Sequence, residues 1–117
     1  MQKALQRIKP KMYRVRLARH ADTMLLSHTK FLANVSPPAA RKLVSDFKKA
    51  KNKLAKDPNQ FPFADEFDAL GIPQKTYRKC IFYGRYKALF LIENDNVYID
   101  AIIDCRQENK NIFAAHQ

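Results

Sequence analysis

The sequence predicts an α+β fold with the element order β-α-α-β-β-β. A short alternating segment at residues 13–17 is followed by two segments of helical periodicity that together span residues 22–56. Three segments rich in apolar and β-branched residues then occupy residues 77–105, separated by turn-forming residues. Because 117 residues with 46% hydrophobic side chains can bury one core but not two, a single domain is predicted.

The N-terminal end of this pattern is basic. Residues 1–12 are predicted to be either a short helix, ended near Pro10, or a loose arm. The domain itself is predicted over residues 13–117. Its first strand is residues 13–17, where tyrosine, valine and leucine alternate with two arginines in the period of a half-buried strand.

Two consecutive helices are predicted next. The first covers residues 22–35, and the second runs from Pro37 to about Lys56, with Ser36 as its cap. One face of the second helix is apolar and is expected to pack: Ala40, Leu43, Val44, Phe47, Ala50 and Leu54. The opposite face is cationic: Arg41, Lys42, Lys48, Lys49, Lys53 and Lys56.

The second half of the chain predicts a connection followed by a meander. Residues 57–76 contain three prolines and three phenylalanines, which predicts an ordered connection with a helical turn around residues 64–70. Strands are then predicted over residues 77–83, 85–92 and 97–105, joined at Gly84 and at residues 94–96.

Charge limits the classes of partner. Lys and Arg outnumber Asp and Glu by 22 to 11, and the excess lies in residues 1–56, which carry +13, whereas residues 57–117 carry −2. Such a charge favours a polyanionic partner, either nucleic acid or an acidic protein, over an anionic membrane. Since no apolar run has the length of a signal peptide or membrane span, we expect a cytoplasmic protein without a membrane partner.

The cysteines do not indicate a metal site. Cys80 and Cys105 are both predicted inside strands, and their spacing fits no zinc motif. We expect both to be ordinary reduced residues. Neither a metal nor another cofactor is expected.

Three segments carry a family resemblance. They are SPPAARKLVSDFKKAKNKLAKDP over residues 36–58, YRKCIFYGRYKALFLI over residues 77–92 and NVYIDAIIDCRQ over residues 96–107. The last two contain a tyrosine-arginine start, a Gly-Arg-Tyr hairpin entry and an Ile-Asp-x-Arg exit at Ile103, Asp104 and Arg106. In this order and spacing they resemble the RelE/ParE superfamily of bacterial type II toxin–antitoxin systems, over about residues 13–107.

The resemblance implies a twisted, mainly antiparallel four-stranded sheet, with the two N-terminal helices on one face and a cationic concave surface on the other. It also implies an acidic cognate antitoxin that covers or distorts that surface. Members of the superfamily inhibit growth by cleaving mRNA in the ribosomal A site or by poisoning DNA gyrase, and some stabilise plasmids. The fold alone does not separate these activities, and the oligomeric state stays open.

Three arginines are the candidate catalytic residues. By the resemblance, Arg78, Arg85 and Arg106 occupy the positions that hold substrate phosphate, and arginine suits the charge of a pentavalent phosphate. The structural alternative for each is a solvated strand residue that protects a sheet edge. Supporting contacts to substrate are expected from five residues: Lys79, Tyr83, Lys87, Lys48 and Lys49. For the two helical lysines, the alternative is a solvated face that keeps the protein soluble.

The general acid and base of a nuclease are not identified by the sequence. Where ribosome-dependent members place a tyrosine after the last arginine, this chain has Ile112 and Phe113. His116 is close to a frayed end, and His20 and His28 are expected to be structural. An endoribonuclease (mRNA interferase) is therefore the preferred hypothesis, with a gyrase-poisoning toxin and a non-toxic basic RNA- or protein-binding module as alternatives.

Overall fold

The computed structural model describes residues 12–64 and 76–106. The strands are β1 (Arg14–Leu17), β2 (Arg78–Phe82), β3 (Tyr86–Glu93) and β4 (Asn96–Asp104). The helices are α1 (Arg19–Val35) and α2 (Pro37–Lys56), followed by a 3-10 turn over Pro58–Gln60. The predicted β-α-α-β-β-β order is confirmed. The predicted N-terminal arm before Met12, and the predicted helical turn beyond Ala64, lie outside the described residues.

The four strands form one sheet in the order β1-β4-β3-β2. The β2–β3 and β3–β4 pairs are antiparallel, whereas β1 pairs with β4 in parallel, from Arg14 opposite Asn96 to Leu17 opposite Ile99. Nε of Arg16 also donates a hydrogen bond of 3.0 Å to Oδ1 of Asn96. The sheet is therefore mainly antiparallel, as predicted, with its first and last strands side by side.

The turn between β2 and β3 explains how the chain reverses at the predicted place. Tyr83 and Gly84 have φ angles of 58° and 63°, and the amide of Arg85 donates to the carbonyl of Phe82 at 3.3 Å. Two consecutive positive φ angles are the signature of a type I′ turn, whose twist matches that of a hairpin. This turn therefore sets the position of Arg85, the residue just before β3.

The two helices start by different means. Helix α2 begins as predicted, and Oγ of Ser36 accepts a hydrogen bond of 3.3 Å from the amide of Ala39. Helix α1 begins at Arg19, three residues before its predicted start, after Ala18, a residue whose side chain cannot cap a helix. The prediction failed at this boundary because no capping residue marks it.

Both helices pack on one face of the sheet. The buried cluster includes Ala21 and Leu32 from α1, the α2 face, and side chains from all of the last three strands: Ala40, Leu43, Phe47, Ala50, Leu54, Cys80, Phe82, Tyr86, Ala88, Phe90, Val97, Ile99 and Ile102. Val44, expected on this face, is 39% exposed. Burial of these side chains is the dominant contribution to stability.

On the face of the sheet opposite the helices, the two central strands, β3 and β4, are also apolar. Leu89, Ala101 and Ile103 are buried there together with Ala64. The resemblance implied a cationic concave surface on this face, and at these positions that expectation is wrong. The exposed cations of the described residues lie chiefly on α2.

Helix α1 also covers a free edge of the sheet. Strand β1 pairs with β4 only as far as Ile99, and no other strand among residues 12–64 and 76–106 lies beside the rest of β4 on that side. Nε2 of His28 lies 2.8 Å from the carbonyl oxygen of Ile102 on this exposed edge. Because a carbonyl can only accept, Nε2 carries the proton, and the imidazole satisfies a backbone group that water would otherwise reach.

Two remaining expectations concern cysteines and membranes. Cys80 is buried on β2, and Cys105 is exposed one residue beyond β4, so its predicted position inside a strand is wrong. Neither cysteine is in a disulfide. Within the described ranges, no helix combines the length and apolar character that crossing a bilayer demands.

Candidate anion-binding cleft

A cleft of about 540 Å³ lies between the second half of α1 and the adjacent ends of β3 and β4. Its volume falls within the range of small-molecule sites. Seven residues line it: Ser27, His28, Phe31, Arg85, Tyr86, Asp104 and Arg106. The strand register explains how the last four meet, because Tyr86 pairs with Asp104 across β3 and β4. Arg85 directly precedes Tyr86 in the chain, and Arg106 follows Asp104 by two residues.

Asp104 organises the charges of the cleft. One carboxylate oxygen, Oδ2, accepts hydrogen bonds from Nε and Nη2 of Arg85 at 3.1 and 2.9 Å. The other, Oδ1, accepts one from the backbone amide of Arg106 at 2.9 Å, and Nε of Arg106 lies 3.5 Å away. The Asp104 side chain is only 6% exposed. A buried carboxylate thus holds two arginines at one place.

The ionisation of this cluster follows from its contacts. Burial alone would raise the pKa of Asp104, but hydrogen bonds from Arg85 and from the Arg106 amide, with the charges of both arginines, lower that pKa below its ordinary value. The hydrogen bond to Asp104 raises the pKa of Arg85. At neutral pH all three groups are charged, so the cluster has a surplus of one positive charge.

Aromatic rings fix the direction of Arg85. Its guanidinium carbon lies 5.1 Å from the centroid of the Tyr86 ring and 5.9 Å from that of Phe31. Both distances are within the range of a cation–π contact. Phe31 is 56% exposed, so the wall of the cleft next to Arg85 includes an accessible aromatic face.

Tyr86 and His28 form the floor. The Tyr86 side chain is fully buried, and its ring centroid lies 4.8 Å from that of His28. Across the part of the chain that the structure describes, the Tyr86 hydroxyl has no hydrogen-bond partner. Burial raises the pKa of Tyr86, so the hydroxyl is protonated at neutral pH.

Comparison with known proteins identifies the architecture around this cleft. A chain of the solved structure "Chromosomal ParDE TA system from P. aeruginosa" superposes with a TM-score of 0.63 at 18% sequence identity. The alignment covers 80% of this protein and 97% of that chain. The fold is ParE-like. No protein-family model and no curated protein matches the sequence.

Arg78 lies elsewhere in the ParE-like fold. It pairs with Phe90 on β3, four residues along that strand from Tyr86, or roughly 13 Å at the usual rise per residue. Nη1 of Arg78 donates to the carbonyl of Phe61 at 2.6 Å, and the guanidinium lies 4.0 Å from the Phe63 ring centroid. The structure therefore brings Arg85 and Arg106 together and places Arg78 against the loop that precedes β2.

The predicted supporting residues are also dispersed over the ParE-like fold. Lys79 and Lys87 point to the face opposite the helices, since they pair with Leu89 and Ile103. Tyr83 is half-buried in the turn, with Nζ of Lys42 5.6 Å from its ring centroid. The two α2 lysines, Lys48 and Lys49, are exposed. None of these five residues lines the cleft.

The sequence does not identify three side chains of the cleft, those of Asp104, His28 and Tyr86, as members of one site. Asp104 was part of the quoted motif, but only its register opposite Tyr86 shows that it collects both arginines. His28 was expected to be structural, which its contact with the Ile102 carbonyl fits, and α1 also brings its ring against Tyr86. Tyr86 lies on the core face, but nothing in its alternation with neighbouring residues indicates an unpaired hydroxyl. His116, Ile112 and Phe113 lie outside the described residues.

Proposed function

We propose that this protein is the toxin of a type II toxin–antitoxin pair, and that it inhibits translation by cleaving mRNA on the ribosome. The observation that supports this proposal most directly is that Arg85 and Arg106 both contact one buried carboxylate at an open cleft. In phosphodiester cleavage, negative charge accumulates on the phosphate in the transition state, and preorganised cations stabilise it. Asp104 supplies that preorganisation by fixing Arg85 before substrate binds.

Support for an antitoxin partner comes from the fold and the charge. The structural neighbour belongs to a chromosomal ParDE TA system, and this chain carries a net charge of +11. An acidic or amphipathic antitoxin that covers the cleft would neutralise the two arginines and exclude the target. High positive charge also suits docking to ribosomal RNA, to which the exposed α2 lysines would contribute.

The test is ribosome-dependent cleavage by purified protein. Wild type, Arg85→Gln, Arg106→Gln and the matched control Arg14→Gln would be added to translating ribosomes, and mRNA 5′ ends mapped. Arg14 is exposed on the sheet edge far from the cleft, so its variant controls for loss of one positive charge. Cleavage by wild type and Arg14→Gln, lost in both cleft variants, is expected. Intact mRNA at growth-arresting doses of wild type would overturn the proposal.

A gyrase poison is the second candidate. It is favoured by the ParDE neighbour and by the absence of a tyrosine at the C-terminal position where ribosome-dependent members have one. A supercoiling assay distinguishes it, because a gyrase poison inhibits supercoiling or traps cleaved DNA while translated mRNA stays intact. A third candidate, a non-toxic basic binding module, predicts normal growth when the folded protein is expressed without a partner.

A further inference from the structure

The hydroxyl of Tyr86 is an unexplained polar group. Its side chain is fully buried, and within residues 12–64 and 76–106 the oxygen has no hydrogen-bond partner. A buried hydroxyl without a partner destabilises the folded state, because it loses its hydrogen bonds to water and gains none. Phenylalanine would fill the same space without this cost. Such a group is more consistent with a ligand than with packing.

The surroundings show which ligand the hydroxyl would meet. The charges that act on it are those of Arg85, Asp104 and Arg106, with Tyr83 as a weaker neighbour. Tyr86 lines the cleft together with these three charged residues, and the guanidinium carbon of Arg85 lies 5.1 Å from its ring centroid. Since burial keeps it protonated, it can donate a hydrogen bond to an anionic oxygen.

We propose that the cleft binds one phosphodiester of single-stranded RNA, and that the Tyr86 hydroxyl donates a hydrogen bond to a non-bridging phosphate oxygen beside Arg85 and Arg106. The choice of RNA rests on the proposed function. Tyr86 is then a third phosphate contact, not identified by the sequence, in addition to the two arginines.

A phosphodiester fits the charge and shape of the cleft. The cluster has one surplus positive charge, which equals the charge of one phosphodiester. The exposed Phe31 ring next to Arg85 offers a face on which an adjacent base can stack, as aromatic residues do in single-strand sites. An acidic peptide would satisfy the charge but would leave this face without a planar partner.

Access to the hydroxyl involves Arg106. Less than 1 Å² of the hydroxyl oxygen is accessible, so a side chain at the mouth has to move before a phosphate reaches it. The Arg106 side chain is 65% exposed, and its closest contact to Asp104 is 3.5 Å. Arg85, 19% exposed with two shorter hydrogen bonds, is held more firmly. Of the two arginines, Arg106 is therefore the one more easily displaced when a phosphate enters the cleft.

The test is binding of a short RNA by purified Tyr86→Phe protein. A fluorescent RNA trinucleotide is titrated in low salt against wild type, Tyr86→Phe and the matched control Tyr98→Phe, with a DNA trinucleotide and a glutamate-rich peptide in parallel. Tyr98 lies on β4 at the end remote from Asp104. We expect Tyr86→Phe to bind RNA about tenfold more weakly, because loss of one charge-assisted hydrogen bond is of this size.

Thermal unfolding separates a ligand contact from a structural role. Tyr86→Phe is expected to melt at the same or a higher temperature than wild type, since it removes an unpaired buried hydroxyl. Weaker RNA binding together with unchanged or raised stability supports the proposal, and an equal loss with DNA supports contact to the phosphate that both share. RNA binding equal to wild type, a lowered melting temperature, or a Tyr86-dependent loss confined to the peptide would each overturn it.

The ribosomal assay keeps the two proposals distinct. If wild type leaves mRNA intact but binds the trinucleotide through Tyr86, the proposed function fails and the phosphate contact stands. If wild type and Tyr86→Phe cleave mRNA equally and bind the trinucleotide equally, the proposed function stands and the contact fails.

Discussion

Two arginine environments in this protein differ in what they leave available. Arg78 donates to backbone carbonyls and stacks on Phe63, so its guanidinium is used to hold the loop before β2. Arg85 and Arg106 are gathered by the Asp104 carboxylate at the mouth of an open cleft. Arginines at or next to the strand ends of one sheet can thus have opposite roles, depending on whether their partner is a backbone group or a charged side chain at a cleft.

The contrast shows why a carboxylate matters in a site for an anion. Asp104 cancels one of two positive charges, which reduces the raw attraction for a phosphate. In return it fixes the direction of Arg85, so that less conformational entropy is lost when a ligand binds. Arg78 is equally well oriented, but its donors already point at the loop. Substitutions can test this difference between arginines that serve a cleft and an arginine that anchors a loop.

The largest effect is expected from Asp104→Asn. Removing the buried charge leaves Arg85 without its counter-ion, and breaking a buried ion pair costs about 3 kcal/mol or more. Because the Arg85 side chain is 19% exposed, we expect the lower end, about 3 kcal/mol, in urea unfolding. The matched control is Asp46→Asn, which breaks an i,i+4 helical pair with Lys42, whose side chain is 65% exposed, and should cost about 0.5 kcal/mol or less. Equal costs for the two variants would contradict the central role of Asp104.

A smaller loss of stability is expected from Arg78→Ala. A hydrogen bond from a charged donor and a cation–π contact together contribute about 2 kcal/mol. Arg14→Ala, an exposed arginine on β1, should stay within about 0.5 kcal/mol of wild type. Growth arrest per amount of folded protein should be unchanged in Arg78→Ala. If arrest disappears although the protein remains folded, Arg78 belongs to the functional site and the comparison fails.

The free energy of unfolding should depend on pH at the cleft but not at the Arg78 anchor. At the cleft, the effect should be about 1 kcal/mol for each unit by which the pKa of Asp104 is lowered. A lowered pKa in the folded state contributes stability that is present above the unfolded value, about 3.9, and is lost as pH falls through the folded value. The stability difference between wild type and Asp104→Asn should therefore be constant from neutral pH to about pH 5 and shrink below about pH 4. The difference between wild type and Arg78→Ala should stay flat, because carbonyls do not titrate. Urea unfolding over a pH series measures both.

The smallest effect on stability is expected from Arg106→Gln. Its side chain is 65% exposed and the backbone amide keeps its bond to Asp104, so the cost should be about 0.5 kcal/mol or less. Growth arrest should nevertheless be lost, while Arg14→Gln keeps it. A fully toxic Arg106→Gln variant would remove the functional distinction between the cleft and the loop anchor.

Much of the fold was predictable because local signals agreed with it. The second helix was placed correctly by Ser36 and Pro37, because serine caps a helix and proline suits its first turn. The hairpin turn was placed by Gly84, because glycine adopts the positive φ that such a turn requires. Helix α1 was predicted to start too late because Ala18 gives no such signal. The parallel pairing of β1 with β4 is a long-range contact that periodicity does not encode.

The candidate site was predictable only in part, for the same reason. Arg85 and Arg106 stand out in the sequence as cations at strand ends, and so does Arg78. What separates them is the identity of the nearest group in space: Asp104 for two of them, and the carbonyl of Phe61 for the third. His28 joins the cleft through the packing of α1 on the free edge of β4. These are tertiary facts, which one sequence read alone does not contain.

The parallel pair of β1 and β4 has a consequence for synthesis of the protein. Arg16 and Asn96, which meet across this pair, are 80 residues apart in the chain. During translation the N-terminal strand has to wait, unpaired, until nearly all of the domain has left the ribosome, and contacts of such high sequence separation form slowly. The four-stranded sheet of the newborn chain is therefore completed only after its last strand has emerged.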